Sequence, residues 1–260
     1  MGAARPTVAI TAIALNTFRE AIRDRILYLL LVFSLVLIGA SRLLSLITVG
    51  NEEKIIKDLG LSAVAVFGVL TSVFVGVSLV FKEIERRTLY TVLASPVRRW
   101  HFVAGKYVGL LALLAVHVAL MSAALLLLLL VRGEAPWSLI PAIVLVFVQL
   151  AVVTAFAVLF SSFTNPILSA VGTLAIYVTG QLSWSFALLG HRLPPGPGRW
   201  ACAAVHWLLP NLDRLDITAH VVHGLPLPAG YVPVRILYGL CYSVAILLLA
   251  CVVFERREFV

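Results

Sequence analysis

Six stretches of this chain are almost wholly apolar, and each is about as long as a helix must be to cross a hydrocarbon core of about 30 Å. They run roughly Ile26–Ile47, Leu59–Phe81, His101–Val131, Ser138–Phe160, Pro166–Leu189 and Pro233–Phe254. Inside a bilayer no water meets the backbone, so each crossing segment must pair its own N–H and C=O groups. The expected class is therefore all-α: a polytopic membrane protein with six transmembrane helices. At 62% hydrophobic and 12% charged residues, little chain is left for a soluble domain. We expect one transmembrane domain over residues 1–260. Three cysteines (Cys202, Cys241, Cys251) make no disulfide framework. No small-residue cleavage site follows the first run, so no signal peptide is expected.

The net charge of +8 does not point to nucleic acid, because the basic residues gather at the ends of the apolar runs. That is the pattern of membrane topology. With the N-terminus inside, twelve of the twenty Lys and Arg residues fall on the cytoplasmic side, including Arg19, Arg23, Arg86, Arg87, Arg98 and Arg99. Six spans then put both termini in the cytoplasm, as expected for a bacterial plasma or inner membrane protein.

Residues 8–25 read as an amphipathic helix lying on the membrane surface, with Leu15, Phe18, Ile22 and Ile26 on one side and Asn16, Arg19, Glu20, Arg23 and Asp24 on the other. A short loop is expected over Gly50–Asp58. In the second span Gly68, Ser72 and Gly76 lie four apart, a face suited to close packing, either within the chain or with another copy. Gly105 and Gly109 are a second such pair. His117 lies inside the third span and is expected to be hydrogen-bonded packing. In the fifth span Ser169, Thr173, Tyr177 and Gln181 form a polar stripe, which is costly against lipid and should face helices or a pathway.

The longest polar break in the first half is Lys82–Lys106, with six of the twenty basic residues and two of the twelve acidic ones. Its first part, residues 82–100, can form a short helix with Leu89, Val92 and Leu93 on one side, ended by Pro96. Arg98, Arg99 and Lys106 read as membrane anchors. A second polar segment, residues 190–232, should lie outside, with helices near Arg199–Leu209 and Leu212–His223; Trp200 and Trp207 suit the interface. Its His206, His220 and His223, with Asp213 and Asp216, are weak candidates for a metal site, His220 and His223 sharing a helix face. Otherwise no metal site is expected, and no catalytic set or phosphate-binding loop can be assembled.

The residues after the second span resemble those of type-2 ABC exporter permeases. The matching positions are Glu83, Glu85, Arg86, Arg87, Thr88, Leu89, Tyr90, Leu93, Pro96, Val97, Arg99, Phe102, Gly105 and Lys106. Many members have Gly-Thr where this chain has Arg87-Thr88. The compact form and the opening Asn16–Tyr28 are most similar to the permeases of multicopper-enzyme and nitrous-oxide-reductase maturation. The resemblance implies a permease homodimer that exports cargo and pairs with separate ABC-type ATPase subunits. Those subunits would hold the ATP and Mg, and this chain would bind no cofactor and catalyse nothing. It implies that Glu83, Glu85, Arg86, Arg87, Thr88 and Leu89 contact the ATPase, and that the N-terminal helix connects beside them. It also implies that the first, second and fifth spans line the dimer interface and pathway, with Ser169, Thr173, Tyr177 and Gln181 as pathway residues. The outer helices would cap that pathway. Two other functions compete on the residues alone: a secondary transporter driven by an ion gradient, and a maturation factor binding metal through its outer histidines. The first calls for a mid-span carboxylate, and none is present. The second calls for convergent histidines.

Overall fold

The computed structural model describes residues 6–45, 51–85, 99–134, 136–194, 196–228 and 230–256. In chain order the helices are α1 (Pro6–Ile22), α2 (Arg25–Ser45), α3 (Glu52–Glu85), α4 (Arg99–Val131), α5 (Ile140–Ser161), α6 (Pro166–Gln181), α7 (Ser183–Arg192), α8 (Pro197–Leu208), α9 (Thr218–Val222) and α10 (Tyr231–Arg256). Two 3₁₀ turns, Pro136–Leu139 and Leu212–Leu215, join them, and the described residues contain no strand. Among the described residues five helices are long and apolar enough to cross a membrane, and the pair α6–α7, bent by 58° at its junction, brings the number to six where the pair is counted as one broken span. The chain is an all-helical multi-pass membrane protein.

α5 is the hub. It is apolar all round, as a helix buried on every side must be. It packs on α3, α4, α6 and α10. The expected small-residue face of α3 meets it in register. Gly68 faces Leu150, Ser72 Oγ lies 2.9 Å from Thr154 Oγ1, and Gly76 faces Ala157. The sequence left open whether this face met the same chain or another copy. It is used within the chain, so the small residues of the second span are not a dimer interface. Thr71 Oγ1 lies 3.2 Å from His117 Nδ1, which makes that histidine part of the α3–α4 packing as expected.

α1 docks along α4. A side chain at Gly105 would strike Ile13, and one at Gly109 would strike the Ala14 carbonyl. The contact stripe against α4 is thus Ile10, Ile13, Ala14 and Thr17; Phe18 and Ile22 of the expected face also pack against the core, while Leu15 stays exposed. Ile26 belongs to α2: the chain turns at Arg23–Asp24, and Asp24 Oδ1 accepts the Ile26 N–H at 2.9 Å as an N-cap.

Three other expectations change. Most of the supposed loop Gly50–Asp58 is the first two turns of α3, closed by an ion pair between Glu52 and Arg132 at the end of α4. Lys106 is not an anchor reaching for water but is buried, its Nζ 5.8 Å from the centre of the Phe102 ring. The outer helix expected over Leu212–His223 is instead a 3₁₀ turn and the five-residue α9, because Asp216 accepts the Thr218 N–H and starts a new turn.

Candidate functional site

α6 begins on Asn165, whose side chain accepts the Leu168 N–H, with Pro166 in the first turn where a missing N–H costs nothing. It ends at Gln181, where the fifth span bends rather than continuing straight to Leu189 as expected. The segment between α7 and α10 explains the bend. The Pro210 carbonyl and Leu212 press on Gly180, where an added Cβ would lie 2.8 Å from each. Just past the bend, the Ser183 hydroxyl hydrogen-bonds Asn211 and lies 3.0 Å from His206 Nδ1. Asn211 donates its N–H to Tyr238 and Tyr242 donates to the Leu208 carbonyl, pinning this segment to α10.

The polar stripe divides at mid-helix. Ser169 and Thr173 are fully buried; Ser169 Oγ pairs with Thr164 Oγ1 at 2.6 Å, and Thr173 Oγ1 donates to the Ser169 carbonyl. Tyr177 and Gln181 instead line a cavity of about 380 Å³ beside the bend. The other polar walls are Asp58 and Ser62 from α3, Gln149 from α5, and Asp213, Asp216 and Thr218 from the segment between α7 and α10. Gln149 Nε2 donates to Gln181 Oε1 at 2.9 Å, and Gln181 Nε2 donates to Asp216 Oδ2 at 3.0 Å. Three separate elements are therefore tied together at the bend. Burial, and then the neighbouring Asp216, raises the pKa of the Asp213 carboxyl above its ordinary value.

Reading along the chain missed this grouping. Asp58 lay in a supposed loop, Gln149 was one polar residue in an apolar run, and Asp213 and Asp216 stood out only beside histidines. The histidines do not converge. His206 sits at Ser183, while His223 lines a different hollow with Lys54 and Asp58. Among the described residues, no three His, Cys, Asp or Glu side chains are placed to hold a metal ion. Of the proposed ATPase contacts, Glu83 and Glu85 fall in the last turn of α3; Arg86, Arg87, Thr88 and Leu89 lie outside the described residues.

No curated protein matches the chain. A family model described as ABC-2 family transporter protein matches residues 11–259, through every span and the bent fifth one. With nearly the whole chain matched, this multi-pass protein belongs to the ABC-2 transporter family and is a permease component of an ABC transporter.

Proposed function

We propose that this permease works as a homodimer in the bacterial plasma or inner membrane, termini in the cytoplasm, and exports its cargo with ATP hydrolysed by separate ATPase subunits. ATP and Mg belong to those subunits, and this chain does no catalysis. Glu83, Glu85, Arg86, Arg87, Thr88 and Leu89 are the proposed ATPase contact, and α1 the connecting helix beside it. One observation carries the reading. α3 is an unbroken 34-residue helix from Glu52 to Glu85. At about 1.5 Å per residue it is about 51 Å long, well beyond a hydrocarbon core of about 30 Å. One end walls the cavity through Asp58 and Ser62, and the other leads into the proposed contact segment. A rigid rod of this kind carries a displacement at one end to the other, as a two-state switch requires. The polar ends of Tyr177 and Gln181 support a pathway along α6, whereas Ser169 and Thr173 are satisfied by local bonds and serve packing. The exposed apolar residues of α2 and α6, such as Tyr28, Val32, Val36, Ile167 and Val171, are available to a second copy or to lipid.

The test is charge reversal at the contact. Glu83→Lys and Arg87→Glu should each reduce co-purification of the ATPase subunit and uncouple its hydrolysis rate from the permease. Unchanged association and an unchanged rate in both variants would refute the assignment.

A further inference from the structure

We propose that α7, α8 and the start of α10 hold an anionic phospholipid, its phosphate on Arg214 and Arg235 and an acyl chain in the groove between α7 and α8. The inference goes beyond the transport reading and does not depend on it. Two hollows adjoin here, and Ala187 and His206 line both. The one between α7 and α8 has a volume of about 340 Å³ and is walled by Phe186, Gly190, Ala203 and Trp207, with Arg199 its one residue of fixed charge. The other, of about 390 Å³, lies between α7, the turn Leu212–Leu215 and α10, and sets Arg214 and Arg235 against one carboxylate, Asp213. Each is within the size range of small-molecule pockets. One hollow is apolar and the other carries an excess of positive charge, which is the division of an amphiphile with an anionic head.

The arginines are available to a ligand. Among the described residues, neither guanidinium forms an ion pair or donates a hydrogen bond. Asp213 lies within electrostatic range of Arg214 without pairing with it. The Arg235 Cζ lies 4.8 Å from the centre of the Tyr231 ring, a contact that fixes the group without meeting its N–H donors. A guanidinium presents a planar fork that matches two phosphate oxygens. Two guanidinium groups and one carboxylate leave one positive charge, which a phosphodiester balances with its single negative one. The surroundings point to a lipid as the source of that phosphate. Arg235 falls in the first two turns of α10 and Trp184 at the start of α7, just past the bend, so the hollow lies towards one end of the spans, near the depth of lipid phosphates. Trp184 and Trp207 each wall one hollow and are exposed, as tryptophans at the boundary between hydrocarbon and water are. A free phosphate would leave the apolar groove empty, whereas a phospholipid fills both spaces. Ser183 and Asn211 line the phosphate hollow and hydrogen-bond each other just past the bend, so a lipid seated there bears on the bend itself.

The experiment uses the full permease, stripped of lipid in a maltoside detergent and titrated calorimetrically with dihexanoyl phosphatidylglycerol or with inorganic phosphate, empty micelles being subtracted. The lipid should bind saturably and inorganic phosphate much more weakly. Arg214→Gln and Arg235→Gln should each weaken lipid binding by roughly tenfold. Ala203→Phe, at an exposed position where a larger side chain fills the groove without entering the core, should weaken it as well. Arg192→Gln removes an exposed charge that lines neither hollow and should leave binding unchanged. No saturable lipid binding, inorganic phosphate binding as tightly as the lipid, binding unaffected by the two arginine variants or by Ala203→Phe, or an equal loss in Arg192→Gln would each overturn the proposal. A negative result leaves the ATP-driven reading standing, since that is judged by the charge reversals at Glu83 and Arg87.

Discussion

Glycines at helix contacts make opposite predictions depending on what faces them, and Gly109 and Gly76 form the sharpest pair. A Cβ built on Gly109 lies 2.6 Å from the Ala14 carbonyl oxygen and 2.7 Å from Thr17 Cβ. Ordinary contact begins at 3.4 Å, so the oxygen is 0.8 Å too close (3.4 minus 2.6). That oxygen is helix backbone and cannot rotate away, so α1 as a whole must lift from α4. At Gly76 the nearest atoms are Ala157 Cβ and Leu110 Cδ1, both at 3.7 Å, which is normal packing. Gly109→Ala should therefore destabilise the protein by about 1–3 kcal/mol, the usual cost of overpacking. Gly76→Ala should be neutral or stabilising by up to about 1 kcal/mol, since alanine is the better helix former. Thermal unfolding of both variants in the same detergent measures the difference, and limited proteolysis near residue 23 reports whether α1 has come loose. Equal midpoints for the two variants, with α1 equally protected, would refute the reasoning.

Three further outcomes follow from the same coordinates. Thr71→Val and His117→Phe, combined in a double-mutant cycle, should show a coupling of about 0.5–1.5 kcal/mol; additive effects would mean the 3.2 Å contact carries nothing. The raised pKa of Asp213 makes the folded state hold its proton to higher pH than the unfolded state. Its penalty is therefore absent below the ordinary value of 3.8 and complete once pH has risen through the folded value. Asp213→Asn should raise the unfolding midpoint near neutral pH and leave it unchanged in acid; a gain confined to acid would reverse the assignment. Trp200 and Trp207 are almost fully exposed on α8, so brominated lipids should quench single-tryptophan variants at these positions if α8 lies in the membrane interface, and soluble quenchers should win if it does not.

Much of the fold was legible because the bilayer limits the choices. A run such as Leu125–Val131 cannot remain in water, and in lipid it must be helical. The pairs Gly105/Gly109 and Gly68/Gly76 were legible as close contacts for the same kind of reason, since only absent side chains let backbones approach. Their partners were not legible, because spacing says that a face is small but not which helix it meets. Lys106 shows the limit from the other side: its position at the start of a span suggests an anchor, and only the packing of α4 shows it buried. The cavity at the bend was half visible. Tyr177 and Gln181 stood out by four-residue spacing on one helix, but Asp58, Gln149 and Asp216 come from three elements, successive residues lying 91 and 67 positions apart in sequence.

The sequence by itself determined that the chain lives in a membrane, how many times its apolar runs can cross, and where polar segments interrupt them. These are properties of length and transfer energy, read one segment at a time. Only the tertiary structure decided that α5 is the hub, that the small face of α3 is used within the chain, and that the fifth span bends at Gln181. The reason is physical: the bend is made by a carbonyl and an asparagine that arrive some 30 residues later, Pro210 against Gly180 and Asn211 on Ser183. Hydrogen bonds and steric contacts between distant segments act at a few ångströms, and nothing in local composition encodes which segments come that close.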